Sequence, residues 1–267
     1  MMDENREYVW LRIIPLSLMS LGVVLIVLPQ LIVFLMSINP TPELAFPPKG
    51  ISLRWYVNMV QRAAFLKSVW LSLLLATVST GLSITIALFF SLAVVRYRFI
   101  ARNLLNALIL SPMIIPEVVT GLGLLYVFNR MGMYNTIFNL LILHVFITLP
   151  YCVRAIAASL YRFDISMEEA AMALGASPLK ALFLVTLPLI KPGLVVAAVF
   201  SFVISFENFT ATMFLVTRKT TLPVEIFSYI RTENDPTVAA ISTFFILVTV
   251  IFVVIGEKVL DIQKIMR

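Results

Sequence analysis

Six long apolar runs alternate with polar stretches along this 267-residue chain. They cover residues 13–38, 69–95, 104–128, 137–158, 189–216 and 238–259. About 20 apolar residues cross a bilayer as helix, so each run predicts a transmembrane span. The pattern therefore reads as an all-α, polytopic membrane protein with six transmembrane helices, forming a single domain over residues 1–267. Residues 1–12 are polar. The first run exceeds the roughly 7–15 residues of a signal-peptide core, and no small-residue cleavage site follows it. Prolines break regularity inside the runs: Pro29 in the first, Pro112 and Pro116 in the third, Pro150 near the end of the fourth. Between the first two runs, Pro40, Pro42, Pro47 and Pro48 forbid helix. From Ser52 onward the pattern turns amphipathic, with Arg54, Asn58, Gln61 and Arg62 opposed to Trp55, Met59 and Leu66. This predicts a collar helix at the membrane surface. Trp55, Tyr56 and Trp70 suit an interfacial aromatic belt.

The gap between the fourth and fifth runs, residues 162–188, has the clearest local grammar. Ser166 is a good N-cap, and Glu169 three residues on completes a capping box. Glu168 and Glu169 place negative charge at the positive end of the helix dipole. Gly175 can end the helix in the left-handed conformation. Ser177-Pro178 then starts a second helix, with Ser as N-cap and Pro at N1. Met167, Ala170, Ala171 and Leu174 fall at i, i+3, i+4 and i+7 on one face. The two alanines let another surface approach the backbone closely.

Composition agrees with the runs. Hydrophobic residues make up 61% of the chain, charged residues 13%, and mean hydropathy is +1.01. The net charge of +6 calls for no nucleic acid, because basic residues flanking spans account for it. The single Cys152 excludes an internal disulfide, and with one histidine, His144, it excludes a Cys/His metal site. Lys and Arg also orient the chain. Arg6 and Arg12 precede the first run, and Arg96, Arg98 and Arg102 follow the second. Arg154, Arg162, Lys180 and Lys191 surround the gap after the fourth, and Lys258, Lys264 and Arg267 follow the sixth. The opposite side carries fewer, so both termini and the Glu169 loop are expected inside the cell.

Acids inside spans are costly and mark functional sites. Glu117 follows Pro116 in a proline-broken run, where irregular backbone must be covered by protein or water. A carboxylate there can also simply satisfy freed backbone N–H groups. Thr120, Gly121 and Gly123 add small residues at helix-packing spacing. Glu207 adjoins a polar stripe of Ser201, Ser205, Asn208 and Thr212 on the fifth run, an arrangement suited to a pore-facing side. Phe202, Phe206 and Phe209 can frame a cation or serve as packing. His144 is a proton-relay candidate or a histidine satisfied within the bundle.

Glu169-Ala170-Ala171, Gly175 and Leu187-Pro188, together with Leu174-Gly175-Ala176, Phe183, Ile190 and Pro192-Gly193, resemble the EAA loop of type I, binding-protein-dependent ABC importer permeases. The resemblance implies a cytoplasmic coupling helix seated in a groove on a separate ATPase subunit, with Glu168, Glu169, Ala170, Ala171, Leu174, Gly175, Leu187 and Pro188 at the coupling site. Further segments resemble the spermidine/putrescine branch: Phe46-Pro47-Pro48 with Arg54-Trp55-Tyr56, the run Pro116 to Gly121, Phe206-Glu207, and Thr221-Leu222-Pro223. That branch also holds permeases for opines, aminophosphonates and other small amines. It implies a substrate path including Glu117, Phe206, Glu207 and Asn208. Polyamine members usually carry Asp at the position of Glu207 and often a second acid at that of Asn208, which here is an amide. The implied partners are an ATPase dimer holding ATP and Mg, a second permease chain favouring a heterodimer, an extracytoplasmic substrate-binding protein and the bacterial inner membrane.

The chain has no phosphate-cradling G-x-x-x-x-G-K-[ST] loop, so any ATP hydrolysis belongs to another chain and no catalysis or cofactor is expected in this one. A proton-coupled secondary transporter using Glu117 and Glu207 explains the acids but leaves the 162–188 grammar unexplained. A membrane transferase would need clustered acids, histidines or cysteines, which the sequence lacks.

Overall fold

The computed structural model describes residues 4–260, with side chains from 14 to 259. The orientation charges at Arg6, Arg12, Lys264 and Arg267 lie outside the described side chains. The described residues are helical and contain no strand. The elements are α1 (Glu4–Ser37), α2 (Arg54–Gln61), α3 (Ala63–Arg96), α4 (Arg102–Leu110), α5 (Glu117–Arg130), α6 (Thr136–Tyr161), α7 (Ser166–Ala173), α8 (Pro178–Ala181), α9 (Leu187–Leu189), α10 (Lys191–Glu207), α11 (Leu222–Thr232) and α12 (Thr237–Leu260). Among the described residues four helices are long and apolar enough to cross a membrane, and up to six spans result if each of two bent pairs counts as one.

One bent pair is the third expected span; the other, Pro178–Leu189 with Lys191–Glu207 at 69°, joins the end of the 162–188 loop to the start of the fifth. Arg102–Met113 and Glu117–Arg130 meet at 107°. The break holds a 3-10 turn over Ser111–Met113 and an extended Pro116, so the two prolines split this run rather than merely kinking it. The fifth helix stops at Glu207 instead of continuing to residue 216. Asn208 takes an extended conformation, and its side-chain carbonyl accepts from Thr212 N at 3.2 Å and Thr212 Oγ1 at 2.9 Å. A side chain that bonds its own backbone competes with the helix ladder and ends it here.

The chain divides into two compact units, residues 1–63 with 228–247 and residues 64–227 with 248–267. In the first, the proline-rich loop is organised by Asn39. Its Oδ1 accepts from Lys49 N at 3.3 Å and its carbonyl accepts from the Trp55 indole N–H at 2.6 Å. Trp55 is therefore buried rather than interfacial. Asn58 donates to Thr237 at 2.8 Å, and the Tyr229 hydroxyl donates to Asp235 at 2.9 Å. The apolar residues of α1 from Ile14 to Leu31 are largely exposed, as a lipid-facing helix requires.

The second unit contains the candidate site. Its core has two clusters along α6. Leu71 and Leu75 of α3, Phe128 of α5 and Leu140 and Leu143 of α6 pack with Ala211 and Leu215 beyond the break. Nearer the other end, Ala87 packs with Val153, Ile156, Ile190 and Ala197. Gly193 sets the approach of α10 to α6: a Cβ there would lie 2.5 Å from Ser159 Cβ and 2.9 Å from the Ala155 carbonyl.

Candidate functional site

Helix α7 begins at Ser166, and Asp164 rather than Ser166 supplies its cap, accepting from Ser166 N at 3.0 Å. That bond holds the exposed Asp164 carboxyl below the usual carboxylate range. The expected capping box is thereby replaced by an Asx turn two residues earlier. The other end follows the sequence. Gly175 has φ +95°, its N–H bonds the Met172 carbonyl at 2.9 Å, and Ala176 N bonds the Ala171 carbonyl at 3.0 Å. These two bonds make a Schellman closure. Ser177 then caps α8 by accepting from Lys180 N at 3.4 Å, with Pro178 at N1.

The two glutamates of α7 have opposite fates. Glu168 is buried and meets Arg96, the last residue of α3, through two contacts of 2.9 and 2.5 Å. The Thr186 hydroxyl also donates to Glu168. Burial pushes the Glu168 carboxyl up, but bonds from Arg96 and Thr186 and the guanidinium charge outweigh it and hold the group below its ordinary range. Thr186 closes a π-helical turn, Leu182–Thr186, between α8 and α9. Glu169 is exposed, as are Ala170, Gly175 and Pro188, while Ala171 and Leu187 are half-buried. Met167 and Leu174 also face outward, Leu174 at 91% exposure, and Leu179, Phe183 and Leu184 on the following turns are exposed too. Helix α7 thus shows an apolar surface that the described residues do not cover, fixed from beneath by a buried ion pair.

The second group of sequence candidates meets at the two helix breaks. Asn208 Nδ2 donates to Glu117 Oε2 at 3.1 Å, joining the end of α10 to the start of α5. Glu117 and Glu207 are exposed and Asn208 is buried. The breaks lie close because Gly121 has no side chain: a Cβ there would meet the Ala211 carbonyl at 2.7 Å. The polar stripe does not face an open path as expected. Ser201, Ser205 and Thr212 are buried, and for Ser205 and Thr212 α6 offers a polar partner inside the bundle. His144 Nδ1 lies 2.7 Å from Ser205 Oγ and its Nε2 lies 3.2 Å from Thr212 Oγ1. Ser205 Oγ is also 3.0 Å from Ser79 Oγ of α3. His144 is therefore hydrogen-bonded within the bundle, the second of its two expected roles, and links α6 to Ser205 of α10 and to Thr212. Phe206 is buried and stacks on Phe202 at 5.7 Å, and Phe202 stacks on Phe252 at 3.7 Å. Phe209 pairs with Phe227 at 4.9 Å. These rings pack against one another rather than framing a cation.

Broken membrane helices around a buried polar network, with an anchored helix projecting from one end, define a polytopic transport protein. The family model described as "Binding-protein-dependent transport system inner membrane component" matches residues 83–261, and the chain belongs to that family. It is 30% identical over 237 residues to the putrescine transport system permease protein PotI of Escherichia coli K12, covering 86% of this chain and 84% of that protein. It is 27% identical to the spermidine/putrescine transport system permease protein PotC of the same strain, covering 79% and 80%. Its fold is similar to a chain of a bacterial ABC transporter involved in import of the acidic polysaccharide alginate. The TM-score is 0.74 at 18% identity, over 96% of this chain and 97% of that one.

Proposed function

We propose that this permease subunit forms half of the path of an ATP-driven importer for a small cationic amine and is driven through α7. The observation that carries the coupling role is Leu174 standing 91% exposed on a helix whose Glu168 is buried against Arg96. A partner groove can cover the apolar face, and the ion pair passes its displacement to α3. The partner is an ATPase dimer that holds the ATP and Mg. With α7 facing the ATPase, both termini lie in the cytoplasm, a reading that the excess of basic residues on that side supports. A second permease chain completes the path, most simply as a heterodimer, and an extracytoplasmic binding protein delivers substrate.

The amine reading rests on Glu117 and Glu207, two exposed carboxylates at the start of α5 and the end of α10, helix ends that Asn208 joins by donating to Glu117, and on the likeness to PotI and PotC. An intramembrane carboxylate facing a wet cavity attracts a cation. Phe206, buried and stacked on Phe202, lends this reading the least support. ATP-dependent uptake of putrescine, spermidine and a monoamine by the reconstituted assembly tests both parts. Uptake that persists without the ATPase overturns the coupling. ATP-driven uptake of an anion or neutral solute, with no amine transported, overturns the substrate class alone.

A further inference from the structure

At the end of α3 remote from Arg96 lies a half-open cavity of about 790 Å³. Lys67 of α3 lines it together with Arg218 and Lys219 from the segment before α11. None of these three cations forms an ion pair among the described residues. The acid in the lining, Glu225, accepts a hydrogen bond from Thr220 at 2.8 Å. Below the cations the lining is apolar: Trp70, 69% exposed, and Leu74.

The order of these residues gives the cavity an amphiphilic axis. From Lys67 to Leu74 is about 10 Å along the helix at 1.5 Å per residue. Lys67 lies one turn inside the start of α3, and at 34 residues this helix is longer than a bilayer core of about 30 Å requires. Its first turns therefore sit at headgroup depth, where Trp70 is an interfacial anchor. A cationic mouth opens over an apolar groove that runs down the flank of the span.

We infer that this cavity binds one anionic phospholipid, its phosphate held by Lys67, Arg218 and Lys219 and its upper acyl chain lying on Trp70 and Leu74. A free phosphate would leave the apolar groove unused. An acidic soluble protein could meet the cations but not the flank of a membrane helix. The inference needs only the membrane-spanning family reading and is independent of the transported solute.

The test uses the full permease–ATPase assembly, purified from nanodiscs holding phosphatidylglycerol and phosphatidylethanolamine, with retained lipid read by native mass spectrometry. The wild type should keep phosphatidylglycerol in preference to phosphatidylethanolamine, and millimolar inorganic phosphate should not displace it. Each neutralisation in the series K67Q, R218Q, K219Q should weaken retention about fivefold, the effect of one cation at a charged surface. W70A should weaken retention with every cation in place. Variants are compared only in assemblies that keep the ATPase subunit, which separates lost lipid from lost fold. Equal retention of both lipids, or a triple variant that keeps phosphatidylglycerol like wild type, overturns the inference. So does a triple variant that loses only its affinity for the soluble binding protein, which would make the patch a protein-docking site.

Discussion

Arg96 and Glu168, 72 residues apart, meet as a planar fork against a carboxylate, with side chains 19% and 9% exposed. A bidentate pair fixes direction as well as distance, because both oxygens are engaged at once. Arg96→Lys keeps the charge but offers a single ammonium to two oxygens. Glu168→Ala leaves a nearly buried guanidinium without its partner. We expect about 2 kcal/mol of destabilisation from Glu168→Ala and less from Arg96→Lys, below the 3–5 kcal/mol of fully buried pairs because some solvent reaches this one. Thermal unfolding of the detergent-purified chain measures this. Reconstituted assemblies should also lose uptake per ATP hydrolysed. Unchanged coupling ratios in both variants would refute the ion pair as the transmission link.

The same pair sets a pH signature. The folded carboxyl of Glu168 lies below its ordinary value of 4.5, so its contribution is complete above that value and is lost as pH falls through the depressed one. Stability from this pair should be flat from pH 8 to about 5 and decline only in stronger acid. Glu168→Gln removes the titrating group and should flatten that acid decline relative to wild type. Unfolding midpoints across the acid range check it. A wild-type loss centred near pH 6 would have to come from another group.

Gly175 carries a different kind of cost. Its φ is +95°, yet nothing lies within 4 Å of a built Cβ. Any penalty is conformational rather than steric. Gly175→Ala should cost about 1 kcal/mol and Gly175→Val more, with Gly175→Asn mildest because Asn tolerates the left-handed region. Uptake should fall in the same order, Asn retaining most, while binding-protein affinity for substrate stays constant. An Ala variant with full uptake and a Val variant without would point to partner contact instead of backbone strain.

Local and distant features of the site separate cleanly. The Schellman closure at Gly175 and the Ser177-Pro178 start were readable because a few neighbouring residues determine them. The cap was misplaced by two residues because Asp164 and Ser166 carry equivalent oxygens, and only the backbone angles choose between them. The end of α10 at Glu207 could not be read from residues 189–216, whose polar residues fall at helical spacing and so suit an unbroken helix. What stops the helix is Asn208 bonding forward to Thr212 and across to Glu117, 91 residues away. Glu168 and Arg96 were both conspicuous, one as a dipole acid and one as an orientation marker. Their pairing depends on how α7 folds back against α3. The polar stripe of α10 was visible at helical spacing, but its inward direction is set by His144 on another helix.

Asn208 offers a test of charge at the path. Its amide donates to Glu117, so Asn208→Asp turns a hydrogen bond into a repulsion between carboxylates and adds one negative charge beside Glu207. A dication can bridge and neutralise what a monocation cannot. The variant should favour putrescine over a monoamine by about fivefold more than wild type, the scale of one extra unit-charge contact in a watery site. Competition uptake in reconstituted assemblies reads the ratio. A ratio that stays put while total uptake falls would mean that Asn208 only holds the break together.

Two glycines on α5 should respond with opposite signs. A Cβ on Gly121 would lie 2.7 Å from the Ala211 carbonyl and 2.8 Å from a Phe214 ring carbon. The carbonyl belongs to the backbone after the α10 break, so neither rotamer change nor a small helix shift relieves the contact without moving that segment. Gly121→Ala should therefore destabilise by about 1–3 kcal/mol, the range for overpacking a filled interior. Gly123, two residues on and so on another side of the same helix, has nothing within 4 Å of its Cβ direction. There Ala only removes backbone freedom from the unfolded chain, and should stabilise by about 0.5–1 kcal/mol. Because Gly121→Ala pushes α5 away from residues 208–214, it should also weaken the Glu117–Asn208 contact and reduce uptake, while Gly123→Ala leaves uptake unchanged. Unfolding midpoints and uptake measured side by side decide it. Equal destabilisation by both substitutions would contradict the close packing of α5 on the broken end of α10.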